Sequence, residues 1–380
     1  MKVTHLTTSD MSLRYLLLDQ LRYLRAQGHD VRAVSGPGPW VDEVRAAGIP
    51  VHTLPLTRRI APLQDVGAFA ALAWYLLRTR PDVVHTHTPK ASLLGQWAAF
   101  VARIRHRVHT IHGLYFPGHM RPARRWFYVW LERIQMAPAA VILSQNSEDL
   151  ETVRRDRIAD PAKLRFLGNG IDIDRFHPRN LARRSAVRRS LGLTDDQPVV
   201  GMVGRVLREK GYLEYFAAAA RLRATHPTAV FLAIGPYEPW KADAIGEDDV
   251  KAFGLGDALR LLGHRDDVDD LYAAMDVLTL PSHREGFPRS PMEAAATGLP
   301  VVVTDVRGCR ETVLDGETGT MVPARDPERL ASAIGALLDD PAMRRRMGER
   351  GRTLAEERFD QRLVFERVAK AYADLEGRRS

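Results

Sequence analysis

Short apolar runs rich in valine and isoleucine alternate with longer amphipathic stretches along almost the whole chain, and the series starts twice. In the first half the runs 2–7, 30–35, 51–55, 83–85, 107–111 and 140–144 read as strands. The intervening stretches 13–27, 65–79, 91–103 and 122–135 read as helices, with Gly28 closing the first of them. The charged segment 180–189, with Arg183, Arg184, Arg188 and Arg189, reads as a linker. Beyond it the runs 199–203, 230–234, 259–262, 277–280, 301–304 and 320–322 resume the strand series, and 212–225 reads as a helix. Three helical stretches, 327–338, 341–357 and 361–375, end the chain. Strands spaced by helices pair in parallel, because each crossover must pass over the sheet. The expected fold class is therefore α/β, with two doubly wound domains over 1–180 and 190–358.

Composition narrows the function. With 45% hydrophobic and 27% charged residues in 380, the chain has material for two cores. Cys309 is the single cysteine, so no internal disulfide forms, which fits a reducing cytoplasm. No apolar run reaches 18 residues and the N-terminus shows no signal-peptide core, so the expected location is cytoplasmic. Residues 1–190 hold 29 Lys and Arg against 15 Asp and Glu, a net +14, and the remainder of the chain is −6. The basic half favours an anionic partner, namely a phosphorylated acceptor, a membrane surface or nucleic acid, unless its arginines only reflect the codon usage of a GC-rich genome. No nucleic-acid module is present, so nucleic acid is not an expected partner. A nicotinamide dehydrogenase is excluded because no Gly-x-Gly-x-x-Gly follows the first strand.

Two segments carry chemistry. After the strand 199–203 comes Gly204-Arg205, then Lys210-Gly211 and a helix. Gly204 lets backbone approach a ligand, and Arg205 and Lys210 set two cations beside a helix N-terminus, a combination suited to a diphosphate. After the strand 277–280 comes Glu285-Gly286-Phe287-Pro288-Arg289-Ser290-Pro291-Met292-Glu293. Here Ser290 reads as the cap of the next helix and Pro291 as its first residue. Glu293 then lies a turn inside, placed to accept the two hydroxyls of a ribose. Glu285 lies at the rim, facing a sugar beyond the phosphates.

These segments resemble the retaining glycosyltransferases of family four. The resemblance rests on Glu285-x7-Glu293 with Gly286, Pro288, Gly298 and Pro300, and on Gly204-Arg205…Lys210-Gly211. It extends to Gly168-Asn169-Gly170, His85-Thr86-His87-Thr88-Pro89-Lys90, His109-Thr110-Ile111-His112-Gly113, and Gly308…Glu311. It implies a GT-B fold: two Rossmann-like domains facing across a cleft, with a C-terminal helix, about 359–380, crossing back to the first. It implies a nucleotide-sugar donor, a UDP-sugar by preference, with retention of anomeric configuration and neither metal nor cofactor. The implied catalytic set is Arg205, Lys210, Glu285 and His112. The implied donor site adds Gly204, His264 and Arg265 at the base, Gly286, Phe287, Pro288 and Ser290 at the phosphates, and Glu293 at the ribose. Relatives carry a Gly-Gly pair in the first loop, whereas this chain has Thr7-Thr8-Ser9-Asp10-Met11-Ser12. Where the loop departs from the family pattern, Asp10 or Ser12 is the candidate acceptor contact, with His87 and Lys90, and the loop set looks like the branch that builds bacterial surface polysaccharide on lipid carriers. Two alternatives stay open: an epimerase or hydrolase of the same fold, and a non-catalytic nucleotide-sugar-binding protein.

Three further features have two readings each. The run Arg121–Trp130 mixes arginine with Trp126, Phe127, Tyr128 and Trp130. The sequence favours a core helix with a solvated arginine edge over a membrane-facing patch. Asp172-Ile173-Asp174 matches a metal-binding triplet but lies far from the other motifs and reads as structural. Among the histidines, His85 and His109 read as packing or polar-network residues rather than metal ligands, and His112 as the functional one.

Overall fold

The computed structural model describes residues 1–57, 59, 61–114, 116, 120–179 and 181–377. Asn180 of the segment read as a linker lies outside them. The chain divides into two compact units, 1–168 with 364–380, and 169–363.

Among the described residues, the first unit holds a seven-stranded parallel sheet: β1 (Lys2–Leu6), β2 (Asp30–Ser35), β3 (Val51–Thr53), β4 (Val83–Thr86), β5 (His106–Ile111), β6 (Val141–Ser144) and β7 (Leu164–Phe166). The spatial order is β3-β2-β1-β4-β5-β6-β7. β1, β4, β5 and β6 are buried along almost their whole length because helices cover both faces. One covering layer packs Leu17, Leu18 and Leu21 with Val364, Val368 and Tyr372 of the last helix, Gln361–Gly377. That helix therefore completes the core of the first unit although it is last in sequence.

The second unit holds β8 (Val199–Val203), β9 (Val230–Ile234), β10 (Leu259–Gly263), β11 (Val277–Leu280), β12 (Val301–Thr304) and β13 (Gly319–Val322), in the order β10-β9-β8-β11-β12-β13. Ile171 pairs with Asp360 where the chain enters and leaves this unit. A Cβ on Gly170 would lie 2.5 Å from the Gln361 Cα, so that pairing requires glycine. Asp172 Oδ1 accepts the Asp174 and Arg175 N–H groups, each at 3.0 Å, so the Asp-x-Asp triplet builds a turn.

The linker reading fails. Leu181–Ser190 is a helix of the second unit, and Arg183, Arg184 and Arg188 are paired with acids from the helix Val268–Ala274 and just beyond. Arg188, wholly buried, donates to the carbonyls of Thr194, Asp195, Gln197 and Ala274 and pairs with Asp276 at 2.9 Å. Arg184 pairs with Asp276 at 2.7 Å, and Arg183 pairs with Asp270. A guanidinium has five donors in a planar fork, so it can be buried where carbonyls and a carboxylate meet all of them. Sequence patterning scored only its charge. Counted by unit, the first holds 27 Lys and Arg against 16 Asp and Glu, and the second 28 against 31. The basic character therefore belongs to the first unit, at +11, even after these arginines move to the second.

Candidate active site

The second sheet reverses direction between β8 and β11, so the loops leaving those strands diverge and open a crevice at their C-terminal ends. Gly211 has φ +83°, and a Cβ there would fall 2.0 Å from the Pro281 carbonyl oxygen. Only glycine lets the two loops touch at this point. The contact brings Lys210 to Glu285. Lys210 Nζ donates to Glu285 Oε1 at 2.5 Å, and the Ser282 hydroxyl donates to the same oxygen at 2.7 Å. The Glu285 side chain is 9% exposed and that of Lys210 19%, so this is a largely desolvated ion pair. The sequence reading gave the two residues separate ends of a ligand, and the structure joins them.

Glu293 sits one turn inside the helix Arg289–Ala296. Its carboxylate accepts the Tyr272 hydroxyl at 2.9 Å and lies 3.8 Å from Arg289 Nε. Burial pushes its pKa above the usual carboxylate range, with Arg289 and then Tyr272 opposing the shift. The helix begins two residues earlier than expected. Pro288 is the N-cap, no side chain caps this end, Ser290 is the second helical residue and Pro291 the third. A proline in the capping position supplies no side-chain acceptor, so this end keeps the partial positive charge that attracts anions. Gly308, at φ +83°, brings the loop after β12 against Gly286, where a Cβ would lie 2.4 Å from the Gly286 carbonyl oxygen. The neighbouring Cys309 thiol is held far above its usual range, first by burial and then by the Glu285 carboxylate, so it stays protonated.

The remaining expected residues are less constrained. Arg205 is exposed, 3.5 Å from Glu238, which also pairs with Lys241 at 2.8 Å. His264 lies 3.5 Å from Asp266, and Arg265 makes a bidentate pair with Asp267 at 2.7 and 2.6 Å. Both follow β10, two strands from β8. Phe287 packs edge-on against Phe359, and its carbonyl accepts the Asn169 amide at 2.9 Å. A Cβ on Gly204 would meet nothing within 4 Å. Gly235, which sequence reading passed over, is the residue that close packing demands: its Cβ would lie 1.9 Å from the Gly204 carbonyl oxygen. Ser282 and Tyr272 were also missed, since a serine after a strand and a tyrosine in a helix carry no signature of their own.

The first unit repeats the reversal between β1 and β4. Thr8 and Thr88 join the two loops there, with hydroxyls 2.7 Å apart and the Ala91 N–H donating to the Thr8 hydroxyl at 3.2 Å. Of the expected acceptor contacts, Asp10 is buried and accepts the Trp40 N–H at 2.8 Å. Lys90 pairs with Asp65 at 2.5 Å. His87 is buried and Ser12 half-buried. His112 places Nδ1 3.1 Å from Gln145 Oε1 and Nε2 3.3 Å from His87 Nδ1, so both ring nitrogens are engaged within the unit. His85 and His109 are hydrogen-bonded too, to Thr110 and Tyr372 and to Thr86 and Gln135. His5 and Tyr372 were missed. The available signal was a histidine in β1, the first strand of a parallel series, in register with His85 of β4.

Two parallel α/β units, each with a crevice at its strand reversal, are the GT-B architecture of glycosyltransferases. The family described as "Glycosyl transferase 4-like domain" matches residues 14–170, and "Glycosyl transferases group 1" matches 183–354. The capsular polysaccharide biosynthesis glycosyltransferase CapM of Staphylococcus aureus is 29% identical over 376 residues, covering 98% of this chain and 96% of CapM. The UDP-Gal:alpha-D-GlcNAc-diphosphoundecaprenol alpha-1,3-galactosyltransferase of Escherichia coli is 31% identical over 305 residues, 80% of this chain and 77% of that enzyme. Among solved structures, Anabaena HepE in complex with UDP has a TM-score of 0.84 at 22% identity, over 98% of this chain and all of HepE. The chain belongs to the family-four glycosyltransferases of the GT-B fold.

Proposed function

We propose that the protein transfers a glycosyl group from a UDP-sugar to a hydroxyl of a saccharide carried on a lipid diphosphate, with retention of configuration, during surface-polysaccharide assembly. The observation that carries this reading is the desolvated Lys210–Glu285 pair beside the uncapped end of the helix Arg289–Ala296. The names of CapM and of the Escherichia coli galactosyltransferase, and the UDP complex of HepE, support the choice of donor and acceptor class.

Donor binding supplies a diphosphate that competes with Glu285 for Lys210. The ammonium and the helix end then face the phosphates, while Glu285 turns to the sugar hydroxyls and Glu293 accepts those of the ribose. In the reaction the bond between the anomeric carbon and the phosphate oxygen breaks, and its electron pair stays on the phosphate. Lys210, Arg205 and the helix end stabilise that charge, and no metal ion is required of them. The acceptor hydroxyl bonds to the anomeric carbon on the face the phosphate leaves, and its proton passes to the departing phosphate. A thermal-shift panel of UDP-, GDP- and ADP-sugars tests the donor. Stabilisation by UDP-sugars alone is expected, and equal or greater stabilisation by another nucleotide would sink the assignment.

A second element of the proposal is peripheral contact with an anionic membrane. The core-helix reading of Pro122–Met136 is overturned: Trp126 is 65% exposed, Phe127 50% and Trp130 44%, while Val129 and Met136 face the core. The helix packs on Pro89–Val101, which packs on Pro62–Thr79, where Trp74 is 64% exposed. Exposed tryptophans with arginines on a unit of net charge +11 match an interfacial surface. Among the described residues no helix is long and apolar enough to cross a membrane. Sedimentation with anionic vesicles at low salt, lost in Trp126→Ser/Trp130→Ser, is the expected result. Equal binding by that variant would remove the helix from the contact.

A further inference from the structure

Behind His112 a single hydrogen-bonded chain runs through the core of the first unit. His112 Nε2 meets His87 Nδ1 at 3.3 Å, and His87 Nε2 meets His5 Nδ1 at 2.9 Å. His5 Nε2 meets the Tyr372 hydroxyl at 3.3 Å, the same hydroxyl meets His85 Nδ1 at 2.6 Å, and His85 Nε2 meets the Thr110 hydroxyl at 2.7 Å. At its outer end His112 Nδ1 meets Gln145 Oε1 at 3.1 Å. His5, His85, His87, Thr110 and Tyr372 are all buried.

A neutral imidazole has one N–H donor and one acceptor nitrogen. Each of these four rings uses both nitrogens inside the chain, so the direction of one link fixes every other. With the Gln145 oxygen facing His112, Nδ1–H of His112 donates outward and its Nε2 accepts from His87 Nδ1–H. His87 Nε2 then accepts from His5 Nδ1–H, and His5 Nε2 accepts from the Tyr372 hydroxyl. Tyr372 accepts from His85 Nδ1–H, and His85 Nε2 accepts from the Thr110 hydroxyl. All four rings carry the proton on Nδ1. The only member from the last helix, Tyr372, is also the only link between His5 and His85.

We propose that Tyr372 and the three histidines behind His112 are positioning residues for transfer: they fix the tautomer and ring plane of His112, and the chain is complete only when the C-terminal helix is seated. This rests on the reading that His112 takes part in the reaction. Nitrogens of His5, His85 and His87 come within 4.8 Å of one another, an arrangement that suits a metal ion as well. The links from His5 to His87 and from Tyr372 to His85 already occupy the atoms that would hold it.

Nitrogen-15 histidine spectra of the ligand-free protein at neutral pH decide the chain. Four neutral Nδ1–H tautomers are expected, and a mixture of tautomers among the four overturns the proposal. Tyr372→Phe keeps the ring and removes the link. Its turnover should fall about tenfold with donor KM held within about twofold, because misplacing a reacting group acts on the chemical step. The His85 tautomer should change with it, because its Nδ1–H loses its acceptor, while the link to His87 holds His5 as Nδ1–H. Wild-type turnover in Tyr372→Phe overturns the coupling. Val368→Ala, buried in the same helix without a polar group, should lower the melting temperature and leave the four tautomers alone. Stoichiometric zinc uptake that shifts His5, His85 and His87 would replace the relay with a metal site. The tautomer measurement needs no donor, so failure of the UDP-sugar panel and failure of the relay are read separately.

Discussion

The two units share one topology and fill its reversal point in opposite ways. Between β8 and β11 the crevice holds a largely desolvated lysine–glutamate pair, a second, half-buried carboxylate and a helix end without a side-chain cap. Between β1 and β4 it holds a stack of uncharged imidazoles joined to a tyrosine and a threonine. His5 and His87 lie with ring planes 12° apart and centroids at 5.2 Å. Topology sets where a ligand binds, and the residue types set which ligand. Under the proposed function, a lysine that exchanges its carboxylate for a diphosphate keeps a partner throughout. Neutral imidazoles offer orientation and hydrogen bonds without a net field, which suits alignment of an uncharged hydroxyl.

The largest expected effect strikes the charged side. Lys210→Met should lower turnover by about a hundred- to a thousandfold, the loss typical of a donor aimed at developing charge. It should also lower stability by roughly 3 kcal/mol, since Glu285 is left buried with Ser282 as its remaining close partner. Adding Glu285→Gln should restore most of that stability and none of the turnover. Urea melts and steady-state kinetics on the single and double variants read the two quantities apart. A double variant that regains turnover would show that charge at this crevice is structural.

Acid should then separate the units. Burial lowers the pKa of His5 and His109 to about 3 and that of His112 to about 4, and burial together with the neighbouring histidines holds His85 and His87 well below the usual imidazole range. An unfolded histidine titrates near 6.5, so below that pH the unfolded chain binds more protons than the folded one. This stability is intact above pH 6.5 and is lost as pH falls toward the folded values, at up to about 1.4 kcal/mol per pH unit for each histidine. Glu293 has the opposite sign. Its raised pKa favours the folded state at low pH and opposes it as pH rises through the folded value. Urea melts from pH 7 to 5 should show a steep fall located in the first unit by hydrogen exchange. A fall of equal slope in His5→Phe, or one located in the second unit, breaks the comparison.

The same contrast explains what could be read from sequence. The strand series is legible because a doubly covered parallel strand must be apolar throughout, so β8, β9, β11 and β12 coincide with the apolar runs. β7 and the helix Ser147–Arg155 escaped: one is three residues long, and the other is polar on its outer side. Lys210, Glu285 and Glu293 could be singled out because charged residues near a strand end stand out against an apolar background. Their pairing was not, because it depends on Gly211 letting two loops 70 residues apart touch. The histidine chain was hardest, since His5 and Tyr372 lie 367 positions apart and meet only through the return of the last helix.

A smaller effect tests Glu293. Glu293→Gln keeps the size of the group and the Tyr272 contact but replaces one acceptor oxygen with a donor. UDP affinity should fall about tenfold, near 1.4 kcal/mol, with little change in turnover at saturating donor. Isothermal titration with UDP checks it, and an unchanged affinity would move the ribose elsewhere.

The smallest effect marks the boundary of the charged crevice. Arg205 is exposed, and its 3.5 Å contact with Glu238 is shared with Lys241. An ion pair of that kind contributes at most about 0.5 kcal/mol, so Arg205→Ala should leave the melting curve nearly unchanged. Its effect on transfer should nevertheless be measurable, because a cation held by so weak a partner is free to turn to a diphosphate. A severalfold loss of turnover at low salt, shrinking as salt screens the exposed charge, is the expected pattern. A loss as large and as salt-insensitive as that of Lys210→Met would mean that Arg205 is buried once donor is bound. The charged crevice would then extend past β8 toward Glu238, and the two cations would share the departing phosphate equally.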